Sequence, residues 1–204
     1  MKRKLVWGLS AIMLTTVLFS SCSKIPQSEI DATNTAIEEA KNAGAEIYKV
    51  EEYNTLLDSM RSVMIHVENQ KSKFIKNYTA EKKELESVMI LAQNLRQETE
   101  LKKEEIKHEI QKTMAEVSAL VETNKQLIVQ APKGKEGTTA LIAIKSELAA
   151  IEVVLAEAQL NFSEGNYLTT LSMVNASKEK ATSINTELNV VISKYKLNQK
   201  AKRS

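Results

Sequence analysis

Cysteine is almost absent from this chain: Cys22 is the single one in 204 residues. One thiol cannot close an internal disulfide, so the fold has to rest on packing alone. Proline and glycine are nearly as scarce, at two and five residues, and aromatic residues make up only 4%. Long stretches without a breaker are rich in Ala, Leu, Glu, Lys and Gln, which are good helix formers. No stretch alternates apolar and polar residues as a half-buried strand does. These absences predict an all-α fold: an elongated antiparallel helical bundle, or coiled-coil-like helical hairpins, of about five helices.

A basic surplus is missing as well. The formal charge is +2, but Lys2, Arg3 and Lys4 supply three of the 28 basic residues. From Cys22 onward 25 basic residues face 26 acidic ones, a net charge of −1. Nucleic-acid binding needs a cationic surface, so no nucleic-acid partner is expected.

The first residues follow their own plan. After the cationic Lys2-Arg3-Lys4, Leu5 to Phe19 is apolar apart from Ser10, Thr15 and Thr16, and the small residues Ser20 and Ser21 lead to Cys22. The run is too short to span a bilayer and ends at a small-residue cut site, which reads as a secretory signal over residues 1–21. Leu18-Phe19-Ser20-Ser21-Cys22 resembles a bacterial lipobox. That resemblance implies cleavage before Cys22, lipidation (including palmitate) of Cys22, and anchoring in a bilayer. Ser23 after the cysteine, in place of aspartate, resembles the pattern for transfer to the outer membrane, with the chain facing the periplasm. Residues 22–28 are then a lipidated cysteine and a short tether, in which Pro26 stops any preceding helix.

The domain expected next is a helical bundle over residues 29–195. Ser28 and Asp31 match a capping pattern, and Ile30, Thr33, Ile37 and Ala40 recur at helical spacing, predicting a helix over 29–43 that ends at Gly44. Tyr53, Leu56, Leu57, Met60, Val63, Met64 and Val67 predict a second over 51–73, with Phe74 extending the stripe. Residues 81–129 hold neither glycine nor proline, predicting a long helix over about 80–130. Its ends carry stripes, one from Leu85 to Leu95 and one from Ile106 to Ile128. Arg96 to Glu105 is polar except for Leu101, which predicts a solvated middle or one paired with another chain. Residues 131–137 predict a loop, with Thr138 or Thr139 as the next cap. Leu141, Ile144, Leu148, Ile151, Leu155, Ala158 and Phe162 step by three and four, an a/d seam over three heptads. A last helix follows Gly165, carrying Tyr167, Leu171, Val174, Ala181, Ile184, Leu188, Val191 and Tyr195, and residues 196–204 form a basic tail expected to fray.

Two corners read alike: Phe74 with Asn77 and Tyr78, and Phe162 with Asn166 and Tyr167. Each predicts an aromatic pair locking a turn, with asparagine capping the next helix. The second corner, with Ala158 before it, resembles part of a tetratricopeptide hairpin, although the 34-residue period is not sustained. Ala36-Ile-Glu-Glu-Ala40-Lys-Asn-Ala43-Gly44-Ala45, followed by Glu51-Glu52-Tyr53, resembles a family of alanine-rich helical envelope lipoproteins of Gram-negative bacteria, defined only as a domain of unknown function. The likeness covers about residues 29–95, with Lys49-Val50 where that family has Ala-Pro. It implies an envelope protein facing the periplasm and carries over no catalytic residue.

His66 and His108 each lack a second histidine at zinc-binding spacing, and both lie beside apolar helix stripes. Asp31 and Asp58 are the only aspartates among 26 acidic residues, and no pair of the many glutamates is singled out for acid–base work. Gly134 and Gly137 lack the Lys-Ser/Thr of a phosphate loop, and Lys133 and Lys135 are its only cations. No enzyme, cofactor or metal is therefore expected. The expected role is a membrane-anchored scaffold in the cell envelope, acting through helix-face contacts with an envelope protein, with itself, or with peptidoglycan. The other expectation is a periplasmic client-binding or assembly factor, favoured if an apolar strip on 81–129 or 138–162 stays exposed.

Overall fold

The computed structural model describes residues 24–132 and 135–201, and the side chains of residues 135–137 lie outside that description. The signal segment, Cys22 and Lys133 therefore fall outside the described residues. Six helices follow in order: α1 (Gln27–Asn42), α2 (Ala45–Tyr48), α3 (Val50–Lys71), α4 (Thr79–Gln130), α5 (Lys135–Ser163) and α6 (Tyr167–Ala201). The fold is all-α, with no strand among the described residues. The chain divides into two compact units, one ending at Lys102 and the other beginning at Lys103.

In the first unit α1, α3 and the first part of α4 form an up-down-up bundle. Ion pairs report the directions. Glu29 meets Lys82 at 2.6 Å and Glu39 approaches Arg96 at 3.9 Å, so α1 runs parallel to α4. Lys49 meets Glu98 and His66 meets Glu84, so α3 runs antiparallel to it. Between the three lies a core of Ile30, Ile37, Leu56, Val63, Val67, Leu85, Val88 and Leu95, closed by the small Ala36, Ala40, Ala45 and Ala92. Small residues let helices approach closely, and their burial removes apolar surface from water. Gly44 takes φ +98°, a left-handed conformation that glycine adopts without steric cost, and α2 begins immediately after it.

The second unit repeats this topology with α5 as the descending helix. Lys178 on α6 meets Glu116 on α4, while Lys125 on α4 meets Glu152 on α5 at 2.7 Å. Val117, Val121 and Ile128 of α4, Ile144, Leu148 and Ile151 of α5, and Ala181, Ile184 and Leu188 of α6 make one core. At the α5–α6 turn Phe162 and Tyr167 pack edge to face, with centroids 5.5 Å apart, and Lys107 Nζ sits 5.1 Å from the Tyr167 ring centroid. The aromatic lock expected at this corner is formed.

Several local expectations are corrected. Phe74 does not pack at the first corner: it is fully exposed, while Tyr78 is buried, so no ring pair forms there. Ser28 does not cap α1. The helix enters from Pro26, whose carbonyl accepts from Ile30 N–H at 3.0 Å, and Ser28 Oγ donates to Glu29 instead. Asn77 does act at the start of α4, accepting from Thr79 N–H at 3.0 Å. Asn166 turns its side-chain amide back to Asn161 and Glu164, and only its main-chain oxygen serves α6. Helix α5 starts at Lys135, ahead of Thr138, and α6 continues through Lys196 to Ala201, a run of strong helix formers. Ile192, not Val191, carries the buried stripe of α6.

Helix α4 is unbroken. Its polar middle keeps the buried stripe by substitution: Thr99 is fully buried and donates through Oγ1 to the Leu95 carbonyl at 2.7 Å. Leu101, the one apolar residue there, points to solvent at 66% exposure. A threonine that satisfies itself on the preceding turn can take a core position that sequence assigns to a leucine.

Candidate helix-face interaction surface

Helix α5 is apolar on two faces. The inner one is the expected seam: Ile144, Leu148, Ile151 and Ala158 are buried, and Leu141, Leu155 and Phe162 are half-buried. On the outer face Ile142, Ala149, Val153, Ala156 and Leu160 follow one another at steps of seven, four, three and four, all exposed. Ile142, Val153 and Leu160 stand at 63%, 59% and 64% exposure. Such spacing keeps them on one side of a helix. From Thr138 to Ser163 the only charged residues are Lys145, Glu147, Glu152 and Glu157.

Two of those charges are turned aside by neighbouring helices. Glu152 is held by Lys125 of α4, and that hydrogen bond raises the Lys125 pKa above its ordinary value. Glu147 reaches toward Lys180 of α6 at 3.9 Å. Exposed pairs of this kind add little stability, so their main effect is on where the charges lie. Lys145 and Glu157 stay exposed at the borders of the stripe, three or four residues from its members, and the stripe residues themselves are all uncharged.

One edge of the stripe runs into a groove between α4 and α5. Its volume is about 510 Å3, and its walls include Ile128, Val129, Leu141, Ile142 and Ala149, together with Lys145 and the paired Lys125 and Glu152. Val129 is 74% exposed. A cleft of this size with largely apolar walls takes apolar side chains from a docked helix.

The other sequence candidates are scattered. His66 Nδ1 lies 2.8 Å from Glu84 Oε2 at the surface of the first unit, and His108 is exposed on α4. Among the described residues no three His, Cys, Asp or Glu side chains group as metal ligands do. No described helix is long and apolar enough to cross a membrane. The outer α5 stripe escaped the sequence reading because its heptad seam already accounted for one face. The available signal was the near absence of charge from Thr138 onward, which one buried face does not require. No family model, curated protein or solved structure matches this chain.

Proposed function

We propose that this chain is a lipid-anchored scaffold of the bacterial cell envelope, tethered through acylated Cys22 to the outer membrane and facing the periplasm. In this reading it holds a helix of another envelope protein along the outer face of α5. One observation carries the contact: the uncharged stripe of Ile142, Ala149, Val153, Ala156 and Leu160, presented opposite a complete core face. Alternation of small and large residues at three- and four-residue steps is what a second helix needs to lay its ridge into. The lipobox-like Leu18 to Cys22 and the likeness of residues 29–95 to envelope lipoproteins support the location. The same exposed strip on α5, with the open groove beside it, also favours the other expectation, a client-binding or assembly factor that takes exposed apolar segments in turn.

The test is photo-crosslinking in cells, with a photoreactive residue at Val153 and a control at Glu187, which is exposed on α6. One dominant adduct specific to position 153 supports the scaffold and identifies its partner. A ladder of many nascent envelope proteins supports the client-binding reading, and an adduct of twice the chain's own mass makes the partner a second copy. Equal labelling at both positions rejects the α5 face. The anchor is read separately: Cys22→Ser should leave an uncleaved, unacylated precursor, and normal lipid labelling of that variant rejects lipidation at Cys22.

A further inference from the structure

The α3–α4 turn of the first unit exposes an unusual pair. Phe74 and Ile75 are adjacent, and at 103% and 81% exposure neither is covered by the other described residues. Lysines surround them: Lys71 ends α3, Lys73 precedes Phe74 and Lys76 follows Ile75, with no acidic residue between Lys71 and Asn77. The nearest acid along α3 is Glu68, which is occupied by Lys71 at 3.3 Å.

The turn also has a definite place. Ile25 and Pro26 share one recess with Tyr78 and Thr79, and Glu29 binds Lys82 at 2.6 Å, so the chain enters α1 at the end of the unit where the α3–α4 turn lies. Ile25, itself 40% exposed, and Lys24 add to the same apolar and cationic end. Cys22 stands two positions before Lys24, at most about 7 Å of extended chain.

The opposite turn of the same unit supplies the contrast. Ile47 and Val50 are also exposed, at 55% and 50%, but Glu46, Glu51 and Glu52 accompany them, with Lys49 as the only cation. Two apolar tips thus carry opposite charge, and the cationic one lies at the end of the unit where Lys24 and Ile25 lead into α1.

We infer that the Phe74-Ile75 turn is a membrane-insertion tip, which dips into the interfacial layer of a phospholipid bilayer while Lys71, Lys73 and Lys76 engage anionic headgroups. Phenylalanine and aliphatic side chains bury at the boundary between headgroups and acyl chains, and lysines draw an apolar tip to an anionic surface. One acyl anchor fixes distance but leaves orientation free. A second contact beside it fixes which way the unit stands, and two weak membrane signals hold better than one. The inference takes the lipid anchor from the proposed function, but it predicts a property of the turn that is measured independently.

The experiment uses the full chain with its single tryptophan removed (Trp7→Phe) and a reporter introduced as Phe74→Trp or, for comparison, Ile47→Trp. Each protein is reconstituted in vesicles of phosphatidylcholine and phosphatidylglycerol, with and without bromine on the acyl chains. The position-74 reporter should shift its emission to the blue and lose most of its intensity to brominated lipid, while the position-47 reporter stays as it is in buffer. Replacing Lys71, Lys73 and Lys76 together with Gln should reduce that quenching. Equal quenching at the two positions, or none at position 74, overturns the inference; the latter is the result expected if the turn instead docks a protein. The mass of the chain recovered from cell membranes reports acylation on its own. Quenching at 74 in an unacylated chain would uphold the tip and reject the anchor, and an acylated chain with an unquenched tip would do the reverse.

Discussion

Asn124 on α4 and Asn185 on α6 are joined side chain to side chain in the core of the second unit. Asn124 is fully buried; its Oδ1 accepts from Asn185 Nδ2 at 2.8 Å, and its own Nδ2 donates to the Ala181 carbonyl at 2.8 Å. One amide therefore satisfies both its donor and its acceptor on the neighbouring helix, and only one sliding position of α6 against α4 permits it. A buried asparagine between helices acts on register in this way. Asn124→Ala should lower stability by about 1–3 kcal/mol, because two buried hydrogen bonds go and a void remains. Asn124→Leu should lose less, since it refills the space. Urea unfolding followed by helical circular dichroism gives both values; an Ala variant as stable as the parent would mean that water replaces the bonds freely.

Leu148 and Ile151 are 1% and 3% exposed at the centre of the α5 seam. Leu148→Asp or Ile151→Asp places an unpaired carboxylate among apolar side chains, and should cost at least about 4 kcal/mol and unfold the second unit. The same change at Val153, on the outer face, should leave the melting temperature within a few degrees of the parent. Thermal melts of the three variants separate the two faces of α5, and unfolding by Val153→Asp would show the outer face to be core.

Gly44 and Gly165 both have positive φ, at +98° and +84°. A Cβ at Gly44 would lie 3.0 Å from Tyr48 Cδ2, whereas at Gly165 it meets nothing within 4 Å. Gly165→Ala should therefore cost about 1–2 kcal/mol, the backbone term alone. Gly44→Ala should cost more, because the Tyr48 ring must move as well. Denaturant midpoints rank the two, and the reverse order would overturn the argument.

The Lys82 ammonium, hydrogen-bonded to Glu29, holds the Glu29 carboxyl at about 2, with the Ser28 hydroxyl assisting. A carboxylate whose pKa is lowered on folding contributes stability that is complete above its unfolded value of 4.5. That contribution is lost as pH falls from there through about 2. The pair is part-exposed, so solvent screening limits its value to about 1 kcal/mol or less. Glu29→Gln should lower the stability of the first unit by up to about 1 kcal/mol at neutral pH, a difference that disappears as pH falls through about 2, so that the variant's profile is the flatter between these two pH values. Parallel pH titrations of parent and variant check this, and identical acid limbs would remove the pair from the account.

Much of the helical order was legible because the signals are local. Gly44 and Gly165 mark helix ends, Asn77 starts α4, and the seam from Leu141 to Phe162 turns inward as its spacing requires. Failures occurred where a neighbour decided the outcome. Phe74 and Phe162 look alike in sequence, yet Phe162 finds Tyr167 while Phe74 finds only solvent. Within the segment expected to be solvated or paired with another chain, Thr99 is buried and Leu101 exposed because helical phase outweighs residue type: position 99 follows Leu95 by four and therefore stays on its face. Asn124 sits three after Val121 and four before Ile128, a core phase that its polarity concealed. The outer stripe of α5 was visible only as missing charge.

The sequence by itself determined that this protein is helical. It lacks the breakers, strand alternation and disulfides that another architecture requires, and helix propensity with 3.6-residue periodicity is a property of single segments. It also determined the signal-like pattern before Cys22, which is a linear one. Only the tertiary structure decided which apolar residues are spent on the core and which remain outside. Burial depends on what lies opposite a side chain, and that is a relation between segments far apart in the chain. Ile144 packs with residues of α4 and α6 in one core, while Ile142, two positions earlier on the same helix, only lines the open groove beside α4 and stays 63% exposed.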